Sequence, residues 1–437
     1  MRVGLMTREY PPYVYGGAGV HVEYLSREMA KSIEVEVHAW GESPQRAGER
    51  SPGTPGAPPE PDKEPTRPAS EGSPGNLEVY FEQPWEAISN GTTAKFKGAL
   101  EALSLNLLEQ LHLEKIDVIH THTWYVSMAG FLAKKLYGVP FVLTTHSLEP
   151  LRAWKAEQLG AGYALSSWME RTAILDADAI VAVSNGTKAD IQRAYPDVDA
   201  KKIHVIYNGI DLQQYQWTPD RTALDRFGVD QTRPYVLFVG RITRQKGVTH
   251  LVDAIQYLPA GTQVVLCAGA PDTPEIAAEM RAKVEAARGK AGGGAGTSKI
   301  VWIEQMVTKL EAIQLYSHCA VFCCPSVYEP FGIINLEAMA CRAPVVASAT
   351  GGILEVVVDG QTGYLVPFVA DPETSFPTEP EQFSRDLATR IAELLDDPKK
   401  GKAMGEAGRR RVEEHFSWTS IAAQTIEMYR ALVAARK

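Results

Sequence analysis

Short apolar runs alternate with longer amphipathic stretches through the first half of the chain. Helical periodicity extends over residues 20–29, 94–113 and 151–175, between the apolar runs. Short apolar runs separated by segments of helix length are typical of parallel strands covered by helices on each side. The predicted strands are Arg2–Thr7, Val35–Trp40, Asp117–Thr121, Phe141–Thr145, Ala179–Ser184 and Ile203–Tyr207. The pattern therefore predicts an α/β fold built on a parallel sheet.

The same alternation starts again after a polar connector at residues 210–233. The second series of predicted strands is Tyr235–Val239, Gln263–Ala268, Lys299–Ile303, Ala320–Cys324 and Pro344–Ala347. A glycine-rich segment at 289–298 is typical of a flexible linker, and residues 417–437 show a helical pattern. We therefore predict two parallel-sheet domains facing across a cleft, at 1–208 and 209–416, followed by a helix.

Residues 43–76 interrupt the pattern of strands and helices. This stretch of 34 residues holds nine of the chain's 28 prolines and contains no Val, Ile, Leu, Met, Phe, Trp or Tyr. Such a composition cannot bury enough apolar surface to offset the entropy lost on ordering. We predict a disordered surface insertion within the N-terminal domain.

Charge and composition exclude several classes of protein. The 437 residues carry 44 Lys and Arg against 53 Asp and Glu, a formal net charge of −9, which argues against a nucleic-acid partner. No apolar run approaches the roughly 18 residues of a membrane helix, and the first residues do not resemble a signal peptide. The five cysteines match no zinc or redox spacing, which favours reduced thiols. We expect a cytoplasmic protein without a membrane or nucleic-acid partner.

Two loops have the composition of phosphate-binding segments. Residues 16–19, Gly-Gly-Ala-Gly, lie between the first strand and the first helix, where a backbone can approach an anion. Their spacing does not complete the dinucleotide-binding fingerprint, and a structural turn explains them equally well. Arg241 and Lys246 follow a strand of the second half, where they suit a diphosphate. A solvated basic loop has the same composition and remains an alternative.

The segment 328–338 carries the sharpest signal in the chain. It leads from a strand through Phe331 and Gly332 into a helical pattern, with Glu329 in the loop and Glu337 in the helix. The free amides at the start of this helix are those of Ile333, Ile334 and Asn335. Two carboxylates with helix amides between them can hold hydroxyl groups on either side of a phosphate. Together with the two cations above, they favour a nucleotide-sugar site over a surface helix.

Histidines end two predicted strands of the first half. His120 and His122 can face the same way, but no third metal ligand with suitable spacing is evident. A hydrogen bond to substrate suits His122 better, whereas His120 also fits a satisfied core histidine. His146 follows the next strand. Arg152 and Lys155 lie three residues apart, on one face if the segment is helical. They fit either a second anion site or a solvated helix face.

These residues together resemble the retaining glycosyltransferases of family 4, which have the GT-B fold of two Rossmann-like domains. The motifs that carry the resemblance are Gly16-Gly17-Ala18-Gly19, Asn208-Gly209-Ile210-Asp211, Gly240-Arg241 with Lys246-Gly247, and the pair Glu329 and Glu337. They occur in the family's order, and the resemblance covers nearly the whole chain except residues 43–76. It also implies that the final helix, 417–437, packs back on the N-terminal domain.

Further segments resemble a narrower group within the family, the actinobacterial-type glycogen synthases and α-maltose-1-phosphate synthases. They are Thr7–Pro12, Tyr15–Val22, His146–Leu151, Trp154–Gly160 and Leu365–Phe368. The resemblance implies glucosyl transfer from ADP-glucose, either to glucose 1-phosphate, forming maltose 1-phosphate, or to the end of an α-1,4-glucan. Two alternatives belong to other classes: a sugar-nucleotide epimerase on the same fold, and a non-catalytic glucan-binding protein.

The resemblance also assigns roles to the matching residues. It implies that Arg241 and Lys246 neutralise the donor diphosphate and that Glu337 holds the ribose hydroxyls. Glu329 would hold the glucose 3- and 4-hydroxyls, and His122 would lie near the 6-hydroxyl of the transferred sugar. The remaining donor-binding residues would be Gly16, Gly17, Asn208, Phe331, Gly332, Ile333, Ile334 and Asn335.

The implied reaction retains the anomeric configuration. It needs no metal or other cofactor, because Arg and Lys side chains stabilise the leaving diphosphate. Glucose 1-phosphate as acceptor would need a cation of its own, for which the candidates are Arg152 and Lys155, with His146 and Glu149 nearby. The expected ligands are a sugar nucleotide and a sugar phosphate or α-glucan, and a homodimer is open as an assembly.

Overall fold

The chain folds into two units. The computed structural model describes residues 1–14, 16–42, 75–91, 94–113, 115–151, 162–290, 299–372 and 374–436. The N-terminal unit comprises Met1–Gly209 and Trp418–Lys437, and the C-terminal unit comprises Ile210–Ser417. The predicted boundaries, 208/209 and 416/417, each lie one residue before the observed ones. Most of the predicted disordered insertion, residues 43–74, lies outside the described residues.

The sheet of the N-terminal unit has seven parallel strands in the order β3-β2-β1-β4-β5-β6-β7. The strands are β1 (Arg2–Thr7), β2 (Glu34–Trp40), β3 (Leu77–Glu82), β4 (Val118–His122), β5 (Phe141–Thr145), β6 (Ala179–Ala182) and β7 (Ile203–Val205). Leu5 of β1 pairs with His120 of β4. The strand order reverses between β1 and β4, and open α/β sheets bind ligands at the carboxyl ends of strands beside such a reversal.

Helices cover this sheet through apolar faces of helical spacing. They are α1 (Gly17–Met29), α2 (Glu86–Gly91), α3 (Ala94–Leu108), α4 (Ser127–Tyr137), α5 (Tyr163–Asp176) and α6 (Asn185–Ala194). Val22, Leu25 and Met29 of α1 are buried in one cluster with Val3 and Val35 of the sheet. Their spacing of three and four residues places them on one side of the helix, which explains why α1 packs there.

The sheet of the C-terminal unit has six parallel strands in the order β10-β9-β8-β11-β12-β13. They are β8 (Tyr235–Arg241), β9 (Gln263–Gly269), β10 (Lys299–Ile303), β11 (Val321–Cys324), β12 (Val345–Ser348) and β13 (Gly363–Val366). This is the same doubly wound order, with its reversal between β8 and β11. Both sheets are therefore Rossmann-like, as predicted.

The remaining helices complete both units. Those of the C-terminal unit are α7 (Thr222–Arg226), α8 (Val248–Ala254), α9 (Pro274–Lys290), α10 (Lys309–His318), α11 (Ile333–Ala340), α12 (Ile353–Val356), α13 (Pro380–Asp396) and α14 (Pro398–His415). The final helix, α15 (Trp418–Ala434), belongs to the N-terminal unit and packs on α1. There Trp418 stacks on Tyr24, with ring centroids 5.9 Å apart. In the described part of the chain, no helix combines the length and apolarity that crossing a membrane requires.

Several predicted elements need correction. Strands β3 and β13 were not predicted; β3 directly follows the proline-rich stretch, and β13 lies between a polar turn and Pro367. Gly17–Gly19 form the first turn of α1 rather than a loop, with Gly16 as its N-cap. The predicted linker at 289–298 begins inside α9, which extends to Lys290, and its other residues lie outside the described ones.

Candidate active site

In the C-terminal unit, the loops after β8 and β11 lie against each other. The two strands are neighbours, so their carboxyl ends share one edge of the sheet. The Val327 amide donates to the Gln245 carbonyl at 2.9 Å. Gly247 has a φ of 60°, and a Cβ atom there would lie 2.0 Å from the Pro325 carbonyl oxygen. Only glycine combines this backbone conformation with such a close approach of the two loops.

Lys246 and Glu329, two of the predicted donor ligands, form an ion pair between these loops. Lys246 Nζ lies 2.6 Å from Glu329 Oε2, and the Ser326 hydroxyl donates to the same oxygen at 3.2 Å. Burial disfavours the charged ammonium, but the Glu329 carboxylate outweighs this effect and raises the pKa of Lys246 above its ordinary value. The lysine is therefore charged at neutral pH.

Arg241, the last residue of β8, is paired with a carboxylate outside the predicted site. Its Nη1 atom lies 2.7 Å from Asp272 Oδ1, in the loop after β9, and its side chain is 26% exposed. The structure thus places both predicted diphosphate ligands, Arg241 and Lys246, at the same sheet edge, each beside a carboxylate. Nothing in the sequence pattern marks Asp272, because it lies 31 residues from its partner.

The turn into α11 depends on Gly332. Its φ of 98° lies in the left-handed region, and a Cβ atom there would lie 2.7 Å from Asn335 Nδ2. Ile333 and Ile334 begin the helix, so their amides have no partner within it. The prediction was wrong for the third amide, because the Asn335 backbone N–H donates to the Gly332 carbonyl at 2.9 Å.

The side chain of Asn335 is fully buried without satisfying its own polar atoms. Neither Oδ1 nor Nδ2 has a hydrogen-bond partner among the described residues. Leaving a buried amide unpaired costs about 1–3 kcal/mol. The neighbouring Gly332 is also close to Glu329, whose Cγ atom would lie 3.3 Å from a Cβ at the glycine. Such an unsatisfied group beside a charged pair calls for an explanation, and a polar ligand provides one.

Glu337 lies within a hydrogen-bonded pocket of two tyrosines rather than on an exposed helix face. The Tyr215 hydroxyl donates to Oε1 at 2.9 Å, and the Tyr316 hydroxyl donates to Oε2 at 3.0 Å. Burial raises the pKa of Glu337 above its ordinary value, and the two hydroxyls offset only part of that effect. Each carboxylate oxygen keeps a second lone pair for a ligand hydroxyl. Neither tyrosine was predicted.

Phe331 and two further glycines support the loop that carries Glu329. The Phe331 side chain is buried against Phe416, with ring centroids 5.9 Å apart. The Gly352 amide donates to the Glu329 carbonyl at 2.9 Å, and a Cβ atom at Gly351 would lie 2.1 Å from that carbonyl oxygen. The adjacent glycines after β12 are the only sequence signal of this support.

In the N-terminal unit, His120 and His122 lie on the same face of β4, with ring centroids 4.3 Å apart. Both ring nitrogens of His120 have partners: the Tyr429 hydroxyl is 2.5 Å from Nδ1, and the Thr144 hydroxyl is 2.6 Å from Nε2. His120 is therefore a satisfied core histidine, one of the two interpretations that the sequence left open.

His122 is grouped with histidines from two other elements. Its Nδ1 lies 3.1 Å from Nε2 of His146, which follows β5, and its Nε2 has no hydrogen-bond partner in the described part of the chain. The third histidine is His21 of α1, whose Nδ1 lies 2.6 Å from Asn208 Oδ1. Asn208, a predicted donor ligand, thus orients His21. We refer to His21, His122 and His146 as the three-histidine cluster.

All the imidazoles in this region are neutral at pH 7. Burial lowers the pKa of His21 to about 4 and that of His120 to about 3. Burial, followed by the neighbouring imidazoles, lowers the pKa of His122 and His146 well below the ordinary value. Each side chain therefore acts as a neutral donor and acceptor.

The start of α1, predicted to bind phosphate, has a carboxylate of its own. The Gly16 amide donates to Glu9 Oε2 at 2.6 Å, and a Cβ atom at Gly19 would lie 2.7 Å from the Glu9 Cβ. The absence of side chains on the glycines therefore lets Glu9 approach the positive end of the helix. A donor phosphate reaches the Gly16 amide only if Glu9 moves, whereas Gly17 begins the helix and its amide has no partner within it.

The predicted acceptor residues are not all available to a ligand. Glu149 is 1% exposed, and its Oε2 accepts a hydrogen bond from the Ser166 hydroxyl at 2.9 Å. Its backbone amide donates to Glu170 Oε1 at 2.9 Å. This buried network argues against direct contact between Glu149 and an acceptor. Arg152 and Lys155 lie outside the described residues.

Arg8 is a cation at the strand-order reversal of the N-terminal unit and lies outside the predicted site. It directly follows β1, and its guanidinium carbon lies 5.4 Å from the Trp40 ring centroid and 4.2 Å from that of Tyr125. Trp40 ends β2, and Tyr125 follows β4. Among the described residues, Arg8 forms no ion pair with a carboxylate. Two aromatic faces thus hold a guanidinium whose N–H donors suit an anion.

Two doubly wound units, with paired cations and carboxylates at the strand-order reversal of one of them, are features of the GT-B fold class. Residues 15–214 match the family model described as Glycosyltransferase Family 4, and residues 220–411 match that described as Glycosyl transferases group 1. The chain belongs to the glycosyltransferases of family 4.

Curated relatives match over the full length. The chain is 45% identical to the α-maltose-1-phosphate synthase of Mycolicibacterium smegmatis and 44% identical to that of Mycobacterium tuberculosis, covering 99% of this chain and 100% of each relative. Among solved structures, sucrose-phosphate synthase from Thermosynechococcus elongatus superposes with a TM-score of 0.75 at 24% identity, covering 99% of both chains. At that identity the likeness shows the fold alone.

Proposed function

We propose that this protein transfers the glucosyl group of ADP-glucose to glucose 1-phosphate, forming maltose 1-phosphate and ADP with retention of configuration. The bond from the glucosyl C1 to the diphosphate breaks, and a bond to O4 of the acceptor forms. The proton of the acceptor hydroxyl goes to the leaving phosphate, so no further reactant is needed. Support for this acceptor comes from the two full-length relatives that are named α-maltose-1-phosphate synthases.

The observation that carries the donor site is the buried Asn335 amide without hydrogen-bond partners, close to Glu329. A hexose offers donors and acceptors on adjacent carbons, which can satisfy an amide and a carboxylate at once. Glu329 would bind the sugar hydroxyls while Lys246 keeps its charge for the phosphate. An apolar ligand would leave the Asn335 amide unsatisfied.

Arg241 and Lys246 would stabilise the departing diphosphate. Negative charge grows on the leaving oxygen as the glycosidic bond breaks, and preorganised cations lower the barrier most when they face that charge. Asp272 and Glu329 hold the two cations in position through ion pairs of 2.7 Å and 2.6 Å. Glu337 would accept hydrogen bonds from the ribose, since each of its oxygens keeps a lone pair.

Arg8 would bind the acceptor phosphate, alongside the predicted Arg152 and Lys155. Its guanidinium lies at the strand-order reversal of the N-terminal unit, held by the rings of Trp40 and Tyr125. A guanidinium presents N–H donors in a planar fork that matches phosphate oxygens. The end of a glucan is neutral and offers no anion for this guanidinium, which favours glucose 1-phosphate over glucan as the acceptor.

One assay tests the reaction. The protein is incubated with ADP-glucose and either glucose 1-phosphate or glycogen, and products are resolved by mass spectrometry. A disaccharide phosphate formed with release of ADP supports the proposal. Glucose added only to glycogen would establish glucan elongation instead. Loss of ADP-glucose in the absence of any acceptor would indicate an epimerase or a hydrolase. Parallel reactions with UDP-glucose test the preference for adenine.

A further inference from the structure

The three-histidine cluster has a geometry that its proposed role in sugar transfer does not require. Its ring centroids form a nearly equilateral triangle: 5.3 Å from His21 to His122, 4.8 Å from His21 to His146, and 5.4 Å from His122 to His146. One nitrogen from each ring lies within 4.8 Å of the others. The three residues come from α1, β4 and the loop after β5, so the fold rather than local sequence brings them together.

This triangle matches the geometry of a tetrahedral metal centre. Zinc–nitrogen bonds of roughly 2.0–2.1 Å with tetrahedral angles place the centroids of the coordinating imidazoles about 5 Å apart. The ligand nitrogens must then lie about 3.4 Å from each other, which small rotations of the rings can achieve. A fourth position remains for water or a ligand, as in zinc sites with three histidines.

In two of the three rings, one nitrogen has no hydrogen bond within the described part of the chain. Asn208 occupies Nδ1 of His21, which leaves Nε2 as the metal-binding atom and fixes the ring in the manner of an outer-shell partner. The Nε2 atom of His122 is buried without a hydrogen-bond partner in the described residues. The contact of 3.1 Å between His122 and His146 is the one interaction that a metal would replace.

His120 acts as an internal contrast, because Tyr429 and Thr144 engage both of its ring nitrogens. It therefore lies beside the cluster without contributing a ligand. The ligands of the cluster are three imidazole nitrogens, without a carboxylate. This donor set suits zinc, copper and nickel and disfavours magnesium and calcium.

We propose that His21, His122 and His146 form a binding site for a divalent transition metal of the zinc type. The site is not needed for glucosyl transfer, in which Arg241 and Lys246 supply the positive charge. An ion bound there takes His122 away from the sugar and so inhibits transfer. This last consequence rests on the proposed function, whereas metal binding itself does not.

The test uses the full chain without an affinity tag, after treatment with a chelator. Zinc chloride is titrated by calorimetry, and cobalt chloride is added as a spectroscopic probe of coordination. The wild type should bind one equivalent of zinc, and its cobalt complex should show the strong visible absorption of a four-coordinate ion. His21→Asn and His146→Asn should each weaken zinc binding about tenfold or more. His204→Asn, at an exposed position of β7, is the matched control and should bind as the wild type does.

Two results would overturn the proposal. One is the absence of saturable binding of a single equivalent by the wild type; the other is a weak, six-coordinate cobalt spectrum. The spectrum of the wild type decides the question even if a variant fails to fold, which circular dichroism would reveal. Because these measurements use the metal alone, they stand whether or not the protein makes maltose 1-phosphate. The inhibitory role predicts that the protein makes the disaccharide phosphate without zinc. Added zinc should then suppress this activity, with half-inhibition at the zinc concentration that half-saturates binding.

Discussion

Lys246 Nζ and Glu329 Oε2 lie 2.6 Å apart, although the two residues are 83 positions apart in sequence. The contact joins the loop after β8 to the loop after β11, and Gly247 permits it by letting the loops touch. Because Glu329 raises the pKa of Lys246, the pair resists deprotonation of the lysine at neutral pH. The pair can therefore offer a charge to phosphate and a carboxylate to hydroxyl groups.

Removing the ammonium tests the role of this pair. We expect Lys246→Ala to lower kcat for glucosyl transfer by about 10²–10³-fold, because a preorganised charge that faces the leaving group is lost. Arg244→Ala is the matched control: it removes a cation from the same loop, where Arg244 forms a half-buried contact of 3.5 Å with Glu279. Initial rates at saturating substrates measure the effect. An equal loss in both variants would mean that only the net charge of the loop matters.

Asn335 gives a prediction in which activity and stability separate. In Asn335→Ala the unsatisfied amide disappears, which offsets the cavity left behind, so the free energy of unfolding should change by less than about 1 kcal/mol. Affinity for the sugar nucleotide should fall about tenfold, because the ligand loses hydrogen bonds. Calorimetric titration with ADP-glucose and urea unfolding measure the two quantities.

The control for Asn335 is a buried amide whose hydrogen bonds are satisfied. Gln263 of β9 accepts from the Asp230 amide at 2.9 Å and donates to the Asp230 carbonyl at 3.1 Å. Gln263→Ala should therefore destabilise the protein by about 1–3 kcal/mol while leaving donor affinity unchanged. If Asn335→Ala destabilises the fold as much as Gln263→Ala does, its amide has partners within the protein and the argument for a ligand fails.

The glycine that begins α11 gives a further prediction. Gly332→Ala forces a left-handed alanine, at a cost of about 1 kcal/mol, and pushes against the Asn335 amide, 2.7 Å from the new Cβ. Gly360→Ala imposes a similar strain at a φ of 70°, but nothing lies within 4 Å of its Cβ. Gly332→Ala should melt at a lower temperature than Gly360→Ala, because only its Cβ meets close neighbours, and only Gly332→Ala should lose affinity for ADP-glucose. Equal affinities would exclude Asn335 and its surroundings from the donor site.

The strands of both sheets could be predicted because each is a compact apolar run between helical stretches. The exceptions have local causes. Strand β3 alternates Leu77, Val79 and Phe81 with polar residues directly after the proline-rich stretch, and β13 lies between the polar turn at 359–362 and Pro367. The loops that carry Lys246 and Glu329 were also predictable, since unusual residue types cluster where strands end.

The partners of the site residues could not be predicted in the same way. Only the fold brings three of these partners together: Asp272 lies 31 residues from Arg241, Tyr215 lies 122 residues from Glu337, and His21 lies 187 residues from Asn208. Each is an ordinary residue in its local segment. Pairing of this kind depends on which strands become neighbours, and the composition of one segment holds no information about that.

Arg8 leads to a prediction about the acceptor. Arg8→Ala should raise KM for glucose 1-phosphate at least about tenfold, because an ionic hydrogen-bonded contact contributes about 1.5–3 kcal/mol. KM for ADP-glucose should change little and is the internal reference. Arg8→Lys should recover only part of the affinity, since a lysine lacks the planar fork. If the variant raised both KM values equally, Arg8 would support the fold of the β1 edge rather than bind the acceptor.

His250 predicts how stability depends on pH in the C-terminal unit. Burial lowers its pKa to about 4, and the opposing effect of Asp253 is smaller. The unfolded chain therefore takes up a proton as the pH falls through 6.5, whereas the folded protein does so only near 4. The stabilisation is complete above pH 6.5 and is lost on acidification toward pH 4, by about 1.4 kcal/mol per pH unit.

The change that tests this linkage is His250→Asn, measured by urea unfolding at a series of pH values. The free energy of unfolding should depend less on pH in the variant than in the wild type. The difference in slope should correspond to about one fewer proton taken up on unfolding. His415→Asn removes a histidine whose side chain is 53% exposed and should leave the slope as it is. A wild-type slope in His250→Asn would mean that other groups carry the acid sensitivity.

His250 also packs beside Gly247, since its Cδ2 atom would lie 3.5 Å from a Cβ there. Protonation of His250 in the folded protein should therefore loosen the loop that holds Lys246, so donor affinity should fall only as the pH approaches 4, well below the pH at which stability begins to fall.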